Sequence, residues 1–306
     1  MPTLNRTVVD GYLDWATHRA RLAESTIEQY TSVLSKYLEW LSDRDISDVK
    51  FTDVEDFGGR DRGYPASAST VRKDIIIVRQ LHTWASERDY PVRRVDTATS
   101  PKVHQRSPKP IDDDVWMRIW NCDLDYDDRM WLGIGYFFGL RRIEIVTIRP
   151  DQVDLDRGEM RFKRKGGSTQ PIEYRAMLNI VAEELPHLCP EPDKFLADFA
   201  ELVRFRHDDE FLYPDARGVV SSDCARLNKR IIRHVCPRAG VSPDDITPHR
   251  LRHSCATNMF RAGIEPAFIM DALSHSDIST TMKYMKTSGQ LSRWRERREH
   301  GRFKPA

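Results

Sequence analysis

The chain has no run of about 18 apolar residues, the length a helix needs to cross a bilayer, so no membrane span is expected. Its opening residues, Met1 to Arg6, contain no apolar segment suited to a secretory signal. Cysteine is sparse. Cys122, Cys189, Cys224, Cys236 and Cys255 are scattered without a C-x-x-C pair, which argues against both a disulfide framework and a cysteine-rich zinc site. A cytoplasmic protein with reduced thiols is the expectation. There is no internal repeat and no low-complexity tract, which argues against a repeat architecture. Strong charge of one sign is also missing. A net charge of +1 does not by itself indicate a nucleic-acid partner.

What is present is enough chain for two domains: 306 residues, 31% charged and 40% hydrophobic. The charge is unevenly placed. Acid gathers at Asp112 to Asp114 and at Asp123, Asp125, Asp127 and Asp128, and base at Arg161 to Lys165, Arg226 to Arg238 and Arg293 to Arg298. One such basic run is ordinarily a solvated helix face. Three of them, interleaved with the motifs described below, point to a surface that meets a polyanion, because such binding depends on local phosphate contacts.

The first hundred residues read as a bundle of about four helices. Ser25 to Glu28 has capping-box spacing ahead of a stripe of Ile27, Tyr30, Leu34, Tyr37, Leu38 and Leu41. Thr52 to Glu55 repeats the pattern, and Ser69 or Thr70 opens a helix carrying Val71, Ile75, Val78 and Leu81. Residues 96–110, with three prolines and no apolar period, read as an extended linker. Beyond it, helices are expected from about Asp113 and from Asp128 to Phe138. Then Val153 to Leu155, Met160 to Phe162 and Ile172 to Tyr174 alternate as a small antiparallel sheet. The remainder reads as helix broken by Pro186, Pro190, Pro214, Pro237 and Pro243.

The chemistry gathers in a few strings. Gly139-Leu140-Arg141 ends a predicted helix with Glu144 three residues on, where it can brace the arginine or its neighbours. Taken singly, Arg141 is a surface arginine and Glu144 a first-turn glutamate favoured by the helix dipole. Thr247-Pro248 makes a helix start, so His249 and Arg252 project together from its first turn, where phosphate is favoured. The competing readings are a capping histidine or a zinc pair of His249 and His253, although no glutamate follows His249 and no third ligand is near in sequence. Lys165 stands at the Lys-Gly-Gly tip of the predicted hairpin, where a solvated turn lysine is the ordinary case. His275 precedes Tyr284 by nine residues across a Ser-Asp-Ile-Ser-Thr-Thr cluster; alone, they read as a capping histidine and a packing tyrosine.

Together these residues resemble the tyrosine recombinases, or phage-integrase family, which break and rejoin DNA through a phosphotyrosine. The run from Thr247 to Ser254 is the most family-specific string. The resemblance implies a mainly α fold with a small antiparallel β-sheet. It implies an N-terminal helical core-binding (SAM-like) domain over residues 1–95, clamping DNA, a linker at 96–110 and a C-terminal catalytic domain at 111–306. It further implies that Tyr284 attacks the scissile phosphate, and that Arg141, Arg252 and His275 hold it. His249 would help accept the tyrosine proton, Lys165 would protonate the leaving 5′ oxygen, and Glu144 would brace the site. No cofactor and no metal are called for. The implied partners are double-stranded DNA, three further copies of the chain in a homotetramer on two DNA sites, and accessory proteins. The segment after Tyr284, with Leu291 and Trp294, packs either in cis or on a neighbouring protomer.

The sequence departs from the pattern at Ser274, where glycine is usual before the histidine, and at Met285-Lys286, where threonine and histidine are frequent. Neither departure removes a reacting group. Two alternatives stay open on sequence: a type IB topoisomerase-like relaxing enzyme, and a non-catalytic DNA-binding regulator on the same scaffold. Within recombinases, the absence of an extra N-terminal arm-binding domain leans towards the simpler Xer-like type.

Overall fold

The computed structural model describes residues 3–103, 109–161, 171–208, 210, 212 and 225–273. The chain divides into two compact units, at Gln105 and Arg106.

The first unit holds α1 (Thr3–His18), α2 (Glu24–Leu41), α3 (Phe51–Gly59) and α4 (Ala68–Ser86). The helical stripes account for its core. Leu34, Tyr37 and Leu41 from α2 meet Val8 and Tyr12 from α1, Phe57 from α3, and Ile75, Val78 and Leu81 from α4. A buried Asn5 ties α1 to the chain leaving α2, donating to the Arg44 carbonyl at 2.8 Å and accepting from the Ile46 amide at 2.8 Å. His82 is buried in this core between the Tyr37 hydroxyl (2.9 Å from Nε2) and the Arg93 carbonyl (2.9 Å from Nδ1).

The helix starts differ from the sequence reading by one to three residues. α2 begins at Glu24, ahead of Ser25, and its N-cap Ala23 supplies no side-chain bond. α3 begins at Phe51, and the reciprocal bond is made by Asp53, whose Oδ2 accepts from the Lys50 amide at 2.7 Å. α4 is capped by Ser67, which accepts from the Thr70 amide at 3.1 Å. Nearby serine and threonine residues compete for the cap, and packing selects which one takes it. Past α4, Val95 and Ala98 are buried in the same core, and Thr99 donates both its amide and its hydroxyl to Glu55 at 2.6 Å.

The second unit contains α5 (Asp113–Asn121), α6 (Tyr126–Phe137), α7 (Arg142–Thr147), α8 (Tyr174–Glu184) and α9 (Pro192–Arg204). These are followed by α10 (Ala225–Arg230), a π-helical turn (Ile231–Val235), α11 (Cys236–Ala239), α12 (Pro248–Arg261) and α13 (Pro266–Leu273). α6 is its axis: every residue from Met130 to Phe137 is buried. Gly135 lets α12 lie close, since a Cβ there would stand 2.9 Å from Leu251 Cδ1. The two-stranded sheet pairs β1 (Val153–Asp154) with β2 (Glu159–Met160) antiparallel, Val153 opposite Met160, and Met160 bridges on to Ile172.

Two expectations change here. The third strand is reduced to that single bridge, because Tyr174 instead opens α8 and buries its ring against Phe138 and Phe199. Pro237 does not break its helix either. Proline lacks an amide proton, and the helix passes it through the π turn, where the Cys236 amide bonds the Ile231 carbonyl five residues back. Among the described residues no helix is long and apolar enough to cross a membrane.

Candidate functional site

α6 runs out at Phe137, and the backbone turns at Gly139, whose φ is +65°. A side chain there would be strained and would press on Leu273 and on Cys255 Sγ, so the turn requires glycine. This turn delivers Arg141 as the N-cap of α7. Glu144 then folds back: its Oε2 accepts from the Arg141 amide at 2.6 Å and its Oε1 from the Arg141 guanidinium at 2.8 Å. Both readings of Glu144 therefore hold at once, because the first-turn glutamate is also the brace.

α12 begins as its sequence dictates. Thr247 caps it, accepting from the Arg250 amide at 3.1 Å, and Pro248 occupies the first turn. Its flank is fastened to the start of the unit, with the Ile111 amide donating to Ser254 Oγ at 2.8 Å and Arg250 to the Pro110 carbonyl at 2.9 Å. Arg252 is only 3% exposed. It donates to the carbonyls of Gly139 (2.5 Å) and Leu273, and its guanidinium lies 3.9 Å from Glu144 Oε2. One carboxylate thus stands between two guanidiniums, fixing both with the turn at Gly139 as common support. A buried arginine is tolerable here because carbonyls and a carboxylate satisfy it.

These groups open on a cavity of about 460 Å³ lined by Arg141, Arg142, Ile143, Asn228, Thr247, Pro248, His249 and Arg252. The α12 N-terminus points into it, adding its partial positive charge. The His249 side chain is reached by solvent, yet partial desolvation first, and then the charges of Arg252 and Arg141, hold its pKa below the usual 6.5. At neutral pH it is a neutral imidazole able to take a proton. Its ring meets His253 edge to face with centroids 4.2 Å apart. Among the described residues no group of three or more His, Cys, Asp or Glu is arranged to hold a metal ion, so the zinc-pair alternative gains no third ligand there.

The structure brings four of the seven expected site residues together: Arg141, Glu144, His249 and Arg252. Lys165, His275 and Tyr284 lie outside the described residues, as do Ser274, Met285-Lys286, Leu291 and Trp294. Two polar lining residues were not singled out by the sequence, nor was the apolar Ile143 between Arg142 and Glu144. Arg142 was overshadowed by Arg141 beside it, and Asn228 is uncharged within a run noted for its basic residues.

Both halves of the chain match known protein families. The model of the phage integrase family matches residues 116–290, and that of the phage integrase N-terminal SAM-like domain matches residues 9–89. Tyrosine recombinase XerD of Vibrio cholerae serotype O1 is 25% identical over 293 residues, covering 90% of each chain. XerD of Staphylococcus aureus (strain Mu50) is 26% identical, covering 92% of this chain and 94% of its own. Among solved structures, a lambda integrase dimer bound to a COC′ core site shares the fold with a TM-score of 0.66 at 14% identity, covering 93% of this chain and 96% of that one. The XerH site-specific recombinase bound to palindromic difH substrate gives 0.62 at 17% identity, covering 94% and 83%. With both units matched and two braced arginines meeting a neutral histidine at one cavity, the chain belongs to the phage integrase family, the tyrosine recombinases.

Proposed function

We propose that this protein cleaves and rejoins double-stranded DNA at specific sites through a 3′-phosphotyrosyl intermediate. The observation that carries the reading is the convergence of Arg141 and Arg252 on Glu144 at the cavity that the α12 N-terminus faces. A phosphodiester under attack redistributes negative charge over its non-bridging oxygens, and fixed guanidiniums stabilise that charge without reorganising. In the proposed step the Tyr284 oxygen bonds to phosphorus, its proton passes to neutral His249, and the bond to the 5′ oxygen breaks. Lys165 gives that oxygen its proton, and His275 adds a donor to the phosphate. The ester conserves the energy of the broken bond, so rejoining needs only the reverse attack by a 5′-hydroxyl.

The wider reading follows from the same chemistry. Exchange between two sites needs four cleavages, which four protomers on two DNA sites supply, each with its N-terminal domain, residues 1–95, also clamping the duplex. Residues 96–110 link the halves, and accessory proteins and a cytoplasmic setting complete the assignment. The match of the first unit to the SAM-like domain supports recombination over a topoisomerase-like activity.

The test uses nicked duplexes carrying sequences that flank the gene, which trap cleavage by losing a short 5′ fragment. Wild type is expected to give an adduct that survives denaturing electrophoresis, and Tyr284→Phe to bind the same duplex without one. An adduct retained by Tyr284→Phe overturns the nucleophile assignment.

A further inference from the structure

The cavity holds a third arginine beside the two assigned to the scissile phosphate. Arg141, Arg142 and Arg252 all line it, and the buried Glu144 carboxylate lies against Arg141 and Arg252. His249 is neutral, and a proton it takes from the nucleophile stays within the site. Arg142 is exposed and, among the described residues, pairs with no carboxylate, whereas Arg141 and Arg252 share Glu144. The volume also exceeds one phosphate. At about 460 Å³ the cavity has room for more than one group of that size.

Asn228 enters the same cavity from α10, and the placement of α10 is strongly specified. Leu227 and Ile231 are buried on either side of it. Arg230, two residues on, donates from Nε to Oδ1 of the fully buried Asp128 at 2.5 Å and from a terminal nitrogen to Asp125 at 3.3 Å. Trp131 Nε1 also donates to Asp128 Oδ1, at 2.9 Å. Asp128 sits on α6, the same axis that leads to Gly139 and Arg141. One buried carboxylate therefore registers α10 against the helix that positions the catalytic arginine.

We infer that Arg142 and Asn228 form a second phosphate subsite, holding a backbone phosphate that flanks the scissile one on the same strand. Arg142 supplies the charge and the Asn228 amide a neutral donor, together setting the register of the scissile phosphate on Arg141 and Arg252. Asp128 is a positioning residue that acts through Arg230. This inference rests on the proposed cleavage reading, and the test separates the two.

The experiment measures adduct formation and, in the Tyr284→Phe background, binding of duplexes in which either phosphate flanking the scissile one is replaced by a neutral methylphosphonate. For wild type, one of the two replacements is expected to weaken binding about tenfold and slow adduct formation, as loss of a charge-assisted hydrogen bond does. Arg142→Ala should show that loss on unmodified DNA, be indifferent to that methylphosphonate, and reduce the slope of log affinity against log salt by about one. Asn228→Ala should weaken binding with the slope unchanged. Asp128→Asn, which keeps shape but not charge, should reproduce the Asn228→Ala loss while Arg142 still senses the methylphosphonate. If wild type forms its adduct but Arg142→Ala remains as sensitive to both replacements as wild type, the subsite is wrong and the cleavage reading stands. If wild type forms no adduct on any site, the cleavage reading fails first.

Discussion

Arg252 does its work from a buried position, and burial determines what its loss would do. In the proposed step, truncation removes a donor to the phosphate, and it strips partners from the Gly139 and Leu273 carbonyls. Arg252→Ala is therefore expected to slow single-turnover cleavage by about 100- to 1,000-fold, the cost of deleting a transition-state donor. Arg252→Lys should recover little, because an ammonium cannot span two carbonyls and a phosphate in one plane. A loss below tenfold for the alanine variant would remove Arg252 from the reacting phosphate. With His249 as the proposed base, its pKa governs the pH response of the same step. Its pKa is lowered, so the protonated form that cannot accept the tyrosine proton accumulates only below the ordinary value of 6.5. The cleavage rate should stay level as pH falls from 7.5 to 6.5 and decline only below that, whereas His249→Ala should be slow throughout and lack that acid limb. A wild-type decline centred above 6.5 would contradict the assignment of His249 as base.

At the scale of elements, the site is a junction of helix ends, and glycine geometry holds it together. Gly139 and Gly240 both have positive φ, but only at Gly139 would a Cβ meet neighbours. Gly240→Ala should cost about 1 kcal/mol of stability from backbone strain and leave cleavage unchanged. Gly139→Ala should cost more and also cut cleavage, since it shifts the carbonyl that Arg252 grips. Equal cleavage by the two variants would show that the Gly139 turn does not position Arg252. The start of α12 was legible in sequence because threonine capping and proline at the first turn are local rules, and Thr247 and Pro248 obey both. The pairing of Arg141 with Glu144 was legible for the same reason, being three residues apart. What escaped were choices made by packing. Ser25 and Thr52 gave way to nearby starts, Tyr174 left a strand for an aromatic cluster, and Pro237 was absorbed by a π turn. Asn228 escaped because its role depends on Asp128, one hundred residues earlier in the chain, a relation that no spacing rule reaches.

Across the whole molecule, each unit carries its own core, and the first carries its own pH dependence. Burial pushes the pKa of His82 down to about 4, against the raising effect of its bond to the Arg93 carbonyl. The unfolded chain, with an ordinary histidine near 6.5, binds the proton more readily, so folded stability is full above 6.5. It falls as pH drops towards 4 and then levels off, a loss on the order of 3 kcal/mol. Denaturant unfolding of the full chain at pH 7 and pH 4.5 should show this loss in wild type and a smaller one in His82→Gln; equal losses would assign the acid sensitivity elsewhere. The second unit brings two arginines, held by a buried glutamate, and a neutral histidine to one cavity, and the family match extends over residues 116–290, which include His275 and Tyr284.

The central claim is that this cavity directs Tyr284 onto a DNA phosphate, and the most direct measurement is the identity of the linked residue. Wild-type adduct trapped on a nicked duplex is digested with protease and nuclease and sequenced by mass spectrometry. The account predicts one modified peptide, with a 3′-nucleotide esterified to Tyr284. A nucleotide on any other residue, or a 5′ linkage, would contradict it.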